Sequence, residues 1–453
     1  MADGFAAIPA LVPRGPGHQF VLYGDACSGV PGAPHERTFA AVNAVLRRLD
    51  PGPEFILFPG DEIIGLSADP DVLRAQWRHF HDVEMAWLDR ARTPFYPCTA
   101  NHTAYDAASE AVFRAAYDLP RNGPPGQEGL AYWVRRGDLL LIVTHTLWSG
   151  LGGEGHVETE WLDTTLKAHA DARHTLVMGH HPVYPVNGFA GAYQRTIGPE
   201  HAKRFWDVLV AHGVLAYLCS HILAYDVQVH RGVLQITTAG AGTAHRMPEG
   251  IEYLHLVQAA LDGEGLRCQV IDDTGRVRER LSWPLAEPRD WRLLPLGAVE
   301  APVSGPADDE RVVFLRLRGR TAAQAGAAQT VLSLQDPGEA VLAPLWIGLA
   351  GPEQRLIAVL GPQAGRSPGT WIGPALAPDT SFDFTLALHA GLGPGGLLLR
   401  EGEDGPWSSL QGAAAWGLER LVWPAAWSLG HGQHGPDDRP FSGAELSVAV
   451  AKG

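Results

Sequence analysis

Six short apolar runs in the first half of the chain each close on carboxylate, amide or imidazole groups: FVLYGD, EFILFPGD, TPFYPCTANH, LLLIVTHT, HTLVMGHH and AYLCSH. Runs of this length, each followed by a helix-like segment, predict strands alternating with helices. In such a fold the loops at the carboxyl ends of the strands gather along one sheet edge, where open α/β folds hold ligands. A chain with Asp, Asn or His at those ends is therefore predicted to bring the donors together. Carboxylate, amide and imidazole groups in one place suit a divalent transition metal such as Zn, Mn or Fe.

Length adds a second constraint. At 453 residues the chain exceeds the roughly 250 to 300 residues at which a single core stops growing, so two domains are expected. The alternating pattern breaks near Trp283-Pro284, and the following stretch LAEPRDWRLLPLGAVEAPVSGPADDE is polar and rich in Pro. This places a first domain at 1–285, a linker at 286–309 and a second domain at 310–453. In the second domain, runs such as RVVFLRLRG, TVLSLQ, FDFTLALHA and AELSVAVA, separated by Gly and Pro, predict an antiparallel β-sandwich.

Composition narrows the class of function. Hydrophobic residues make up 45% and charged residues 19%, which is globular usage. The net charge is −15 and the Lys and Arg residues are scattered, so there is no basic track for a nucleic-acid backbone. No run approaches the roughly 18 apolar residues of a membrane span, and the first residues lack a basic start followed by an apolar core. A cytoplasmic protein without a membrane or nucleic-acid partner is expected. Cys27, Cys98, Cys219 and Cys268 are far apart with no CxxC pair, so they are read as thiols.

In order, the strand ends read Gly24-Asp25-Ala26-Cys27, Gly60-Asp61-Glu62, Ala100-Asn101-His102-Thr103, Gly179-His180-His181-Pro182 and Ser220-His221-Ile222-Leu223. Each is ordinary alone, but their order and strand context resemble the calcineurin-like metallophosphoesterases, in particular the purple-acid-phosphatase-like branch. That family's pattern runs GDxH or GDxG, GDxx, GNH followed by Glu or Asp, a GHHP-like segment, then GHxH. The resemblance implies a four-layer α/β/β/α sandwich and metal-dependent hydrolysis of a phosphoester. It matches Asp61 to a carboxylate that bridges two metals, and Asn101, His180 and His221 to the other ligands of the second metal. Asp25 matches a carboxylate of the first metal and joins His102 at the reaction centre.

The departures from the pattern are as informative. Cys27, Ile64 and Leu223 stand where the family places donors for the first metal, so one metal is expected rather than two. His102 matches the group that protonates the leaving oxygen or steadies the transition state, while Thr103 replaces its carboxylate partner and Asp106 is a nearby substitute. Cys27, expected just before a helix where a thiolate is favoured, and His145, at the end of its strand, are additional candidate ligands. His174, His212, His230 and His255 read as scaffold.

The tail WSLGHGQHGPDDRPFSGAELSVAVA resembles the laminin-G-like or concanavalin-like jelly roll. Trp371, Trp407, Trp416, Trp423 and Trp427 are candidate sugar-stacking platforms, with core packing as the plainer use of such large aromatics. The expected substrate is a small molecule or a glycan-linked one. Two rival readings stay open: lyase or other non-phosphate chemistry at one metal, and a non-catalytic protein that binds a glycan or partner.

Overall fold

The computed structural model describes residues 6–453 apart from 190–194, 244–251, 304, 307–311, 325–326, 336–342, 363–367, 392–395 and 413–420. The chain divides into two compact units. One comprises Met1–Val186, Ala190–Val227 and Val233–Pro284, and the other Asn187–Phe189, Gln228–Gly232 and Leu285–Gly453.

The first unit begins with three strand–helix pairs. Strand β1 (His18–Leu22) leads to α1 (Pro34–Leu46), β2 (Phe55–Phe58) to α2 (Pro70–His79), and β3 (Phe95–Pro97) to α3 (Ala107–Ala116). Local chemistry starts each helix. Pro occupies the first turn of α1 and α2, where its missing N–H and fixed φ cost nothing. Asp69 caps α2 through the Asp71 amide, and Asp106 caps α3 in a reciprocal box with Ser109. An antiparallel pair, β4 (Tyr132–Arg136) and β5 (Leu139–Val143), then precedes α4 (Thr159–Ala168), β6 (His174–Met178), α5 (Pro199–Ala211) and β7 (Ala216–Cys219). Strands β8 (Tyr225–His230), β9 (Val233–Thr238), β10 (His255–Asp262), β11 (Gly265–Asp272) and β12 (Val277–Trp283) complete the series.

These strands form two mixed six-stranded sheets, ordered β12-β11-β10-β1-β2-β3 and β8-β9-β7-β6-β5-β4. Helices cover one face of each. Phe39, Val42 and Val45 of α1 with Leu73 and Trp77 of α2 share a core with Val21, Ile56 and Phe58. Leu162 and Leu166 of α4 with Phe205, Trp206 and Leu209 of α5 share another with Leu140, Ile142 and Val177. The alternate residues Phe20, Leu22, Phe55, Leu57, Leu139, Leu141 and Met178 are also buried. On that side the sheets meet: the Tyr132 hydroxyl donates to the Pro97 carbonyl at 2.7 Å, and Arg136 donates to the Tyr96 hydroxyl at 3.3 Å. Burial on both faces explains why the parallel strands read as unbroken apolar runs rather than alternating ones.

Register places the site. Leu22 pairs with Leu57 and Leu57 with Tyr96 in one sheet, while Val143 pairs with Met178 and Met178 with Leu218 in the other. The carboxyl ends of β1, β2 and β3, and of β5, β6 and β7, are therefore level, and the donor-bearing loops leave from one edge of each sheet.

The second unit is a sandwich of a six-stranded and a seven-stranded sheet, joined pair by pair in antiparallel fashion. Leu315, Leu386 and Val448 of one sheet share a core with Leu332, Ile347 and Trp427 of the other. Residues expected to be a linker do not behave as one. Arg292–Leu294 pairs with Val448–Val450, and Gly297–Glu300 pairs with Ala426–Leu429, so the stretch contributes two strands to the sheets of the second unit. Backbone pairing needs no apolar side chains at an exposed edge, which is why polar, Pro-rich composition misreads this stretch. Trp371, Trp407, Trp423 and Trp427 are all buried and offer no open face for stacking, while Trp416 lies outside the described residues. Among the described residues no helix is long and apolar enough to cross a membrane. All four cysteines are buried thiols.

Candidate metal centre

The loops after β1 and β2 continue side by side beyond their strands. Asp25 donates its amide to the Gly60 carbonyl at 3.0 Å, Cys27 to Asp61 at 2.7 Å and Ser28 to Glu62 at 2.9 Å, and Ile64 returns a bond to Ser28 at 2.8 Å. This pairing brings Asp25 next to Asp61. Two backbone amides then fix the carboxylates: His102 donates to Asp61 Oδ1 and His221 to Asp25 Oδ2, both at 3.1 Å. The four positions Asp25 (φ 63°), Cys27 (φ 42°), Asp61 (φ 57°) and His221 (φ 67°) are all left-handed. Such a conformation costs a non-glycine residue about 1–2 kcal/mol and is held only where surrounding bonds impose it. Gly60 (φ +99°) is a further requirement, because a Cβ there would stand 2.8 Å from His180 Nδ1 and 2.6 Å from Ala100 Cβ.

His180 is the hub. Its Nδ1 lies 2.8 Å from the Pro59 carbonyl oxygen, which can only accept, so Nδ1 carries a proton; Ser220 Oγ lies 3.0 Å away and donates to the same carbonyl. The other ring nitrogen, Nε2, is 2.9 Å from Asn101 Oδ1, 3.0 Å from His221 Nδ1 and 3.5 Å from Asp61 Oδ2. Ligand atoms around one small dication are spaced roughly 3 to 4 Å apart. A ligating imidazole that donates its remote N–H to a backbone carbonyl is the usual outer-shell arrangement of a metal site. The donors present therefore fit a divalent metal.

Electrostatics agree with that fit. Burial opposes charge on His180, yet the Asp61 and Asp25 carboxylates outweigh it and raise the imidazole to about 9. Burial likewise opposes charge on Asp61, but His180 and His102 hold it below the usual carboxylate range. Asp25 is pushed up, first by burial and then by its like-charged neighbour Asp61, with His180 working against the shift. Two carboxylates sharing one buried pocket are relieved by added positive charge.

The remaining sequence candidates fall out differently. His102 Nδ1 is 2.7 Å from the Ile64 carbonyl and so donates to it, which leaves Nε2 facing Asp61 Oδ2 at 3.9 Å. Cys27 Sγ is 4.0 Å from His102 Nδ1, and Cys27, Asp61 and His102 form a three-donor group within 4.8 Å. Cys27 does not precede a helix. Helix α1 starts only at Pro34, and burial followed by the Asp61 and Asp25 charges pushes the Cys27 thiol well up, the reverse of thiolate activation. His145 is turned elsewhere: its Nδ1 is 2.6 Å from Thr99 Oγ1, its Nε2 is 3.7 Å from Glu110 Oε1, and it joins none of the donor groups found among the described residues. Asp106 is occupied in capping α3 through the Ser109 amide at 2.7 Å, and Thr103 closes a local turn with Ala100.

No family model matches the chain, and no curated protein sequence matches it. Solved structures do. A purple acid phosphatase from yellow lupin (Lupinus luteus) seeds aligns at a TM-score of 0.44 and 14% identity, over 60% of this chain and 54% of its own. The chain thus spans about half the length of the lupin protein. GAP50, described as the anchor in the inner membrane complex of Plasmodium, aligns at 0.42 and 14% identity, over 60% of this chain and 89% of its own. A protein assigned as a 5'-nucleotidase from Staphylococcus aureus aligns at 0.33 and 13% identity, over 57% of this chain and 52% of its own. All three fall below a TM-score of 0.5, so the site's own residues carry the functional reading.

Three neighbours of the site were not singled out from sequence. His181 is fully buried and groups with His180 and His221, one ring nitrogen of each lying within 4.8 Å of the other two. The doubled histidine of GHHP was the available signal. Glu62 is fully buried with neither carboxyl oxygen hydrogen bonded, and the doublet Asp61-Glu62 was its signal. Glu84, at the end of a π-helical turn over Phe80–Glu84, accepts from the Ser28 hydroxyl and from the Gly29 amide at 3.1 Å. It steadies the loop that carries Cys27, and nothing local in the sequence marks it.

Proposed function

We propose that the chain is a metal-dependent hydrolase of the calcineurin-like metallophosphoesterase class, acting on a phosphoester through a mononuclear site. The observation that carries this is the convergence of Asn101 Oδ1, His221 Nδ1 and Asp61 Oδ2 on His180 Nε2 within 2.9 to 3.5 Å. A divalent metal bound there would supply Lewis acidity and a water of lowered pKa. Asp61, Asn101, His180 and His221 would hold it, with Asp25 beside them. Among the residues themselves, His102 is the proton carrier. Its Nδ1 is fixed on the Ile64 carbonyl, and its partly exposed ring presents Nε2 as the atom that gives a proton to a leaving oxygen. Asp25 orients the His221 backbone through its amide and sets the negative charge at the pocket floor. The second unit is read as a jelly roll that supplies no ligand, and the location as cytoplasmic.

A second reading draws on three residues. Leu223 and Ile64 stand where a two-metal phosphoesterase places donors and Thr103 where it places the carboxylate partner of His102, which speaks for a non-catalytic protein that binds a glycan or partner, while the loss of the first-metal donors leaves lyase or other non-phosphate chemistry at one metal as the rival within the enzyme class. Elemental analysis of the purified chain and of His180→Ala and His221→Ala tests the metal, and turnover of a generic aryl phosphate tests the reaction. About one metal per wild-type chain, lost in both variants, is expected. Unchanged metal content in the variants refutes the ligand set, and a loaded chain inert toward phosphoesters shifts the assignment to the second reading.

A further inference from the structure

His181 follows His180 directly, yet the two rings do different things. The His181 Nδ1 is 2.8 Å from Thr146 Oγ1, the same oxygen that accepts from the His181 amide at 3.3 Å. The Tyr217 hydroxyl holds the His181 carbonyl at 2.6 Å. Residue and backbone are thus fixed from two sides. The Nε2 atom, in contrast, is fully buried and has no hydrogen-bond partner. A buried polar nitrogen without a partner costs on the order of 1–3 kcal/mol, so its persistence calls for a partner that the protein chain does not provide.

The surroundings say what that partner is. The His181 ring centroid is 4.4 Å from that of His221 and 4.8 Å from that of His180. One nitrogen from each of the three rings falls within 4.8 Å of the other two, close enough for a single dication to draw them together. Thr146 Oγ1 plays for His181 Nδ1 the part that the Pro59 carbonyl plays for His180 Nδ1, leaving the opposite nitrogen as the donor. We infer that His181 is a further ligand of the metal held by Asp61, Asn101, His180 and His221, so that one ion is held by three imidazoles, a carboxylate and an amide oxygen. This rests on the metal centre proposed above and deepens it: donors withdrawn from the first position by Ile64 and Leu223 are offset by one gained at the second.

The test uses the full chain, stripped of metal and reloaded with Zn(II) for affinity or Co(II) for its visible spectrum. In His181→Gln, zinc affinity measured against a chromophoric chelator should fall by at least about tenfold, and the Co(II) bands should change in position and intensity as one nitrogen leaves the coordination sphere. An affinity within about twofold of wild type, or a weakened affinity with superimposable Co(II) bands, overturns the assignment, because a residue that only positions others does not alter the coordination sphere. Should His181→Gln fail to fold, the wild-type chain labelled with 15N-histidine and loaded with 113Cd decides the matter: three imidazoles coupled to cadmium support it and two refute it. His180→Ala separates the levels of failure. If it abolishes binding while His181→Gln does not, only His181 is misassigned; if neither affects binding, the whole metal centre is.

Discussion

Glu62 offers a measurement whose size follows from its surroundings. Its side chain is fully buried directly beside Asp61, and neither carboxyl oxygen has a hydrogen-bond partner. Burial is the main force pushing its pKa well above the ordinary value, with the Asp61 and Asp25 charges adding to it and His180 opposing. In the metal-free native chain this carboxyl holds its proton, whereas in the unfolded chain it releases it near about pH 4.3. The unfolded state therefore binds fewer protons across the window from about 4.3 up to the folded pKa, and stability falls as pH rises by about 1.4 kcal/mol per pH unit. Glu62→Gln keeps the shape and removes the titration. The advantage of the variant over wild type should then grow by about 1.4 kcal/mol between two pH values one unit apart inside that window. Hydrogen exchange of the Phe55–Phe58 amides in metal-free protein reads the stability of the first unit alone. A difference between the two proteins that stays constant with pH would mean that Glu62 is ionised in the native state and has a cationic partner, and the reasoning would fail.

Ser220→Ala removes the hydroxyl 3.0 Å from His180 Nδ1 and should weaken zinc binding by about 10- to 100-fold without changing stoichiometry at saturation; equal affinity would show that the Pro59 carbonyl suffices as orienter. Because His180 is raised to about 9, metal uptake below that pH must displace its proton, so binding should weaken as pH falls, and calorimetry in buffers of different ionisation enthalpy should record the release; uptake without proton release contradicts it. Trp427→Ala, which empties a fully buried core position, should cost the second unit about 3–5 kcal/mol and leave metal content unchanged; a mild effect on stability would show that Trp427 is not a core residue.

The convergence of the candidate donors was readable because strand ends are doubly marked, by the end of an apolar run and by a polar residue type. The same logic gave the alternation of strands and helices in the first unit, since burial on both faces leaves continuous apolar runs. It failed where position depends on contacts distant in sequence. The strands at Arg292–Leu294 and Gly297–Glu300 exist through pairing with residues near the end of the chain, and polar composition conceals them. The loop between β1 and α1 is longer than a strand-turn-helix reading allows, so Cys27 lies in a paired loop rather than at a helix start. Asp106 caps α3 together with Ser109, and that local role competes with any role beside His102. Glu84 reaches Ser28 only because a π-helical turn redirects the chain after α2, a geometry with no plain sequence mark.

The left-handed backbone at Asp25, Cys27, Asp61 and His221 restricts which substitutions are informative at those positions. Asparagine and glycine tolerate that conformation, whereas valine, isoleucine and threonine resist it. Replacing Asp61 by Asn therefore subtracts charge while keeping the loop, and replacing it by Val would disturb loop and charge together. The same filter acts on inherited variation: at these four positions many changes fail on backbone geometry before their chemistry is tried, and those that pass fall among a few residue types. Exchange of one donor for another at these corners is thus easier than replacement of a donor by a bulky branched chain.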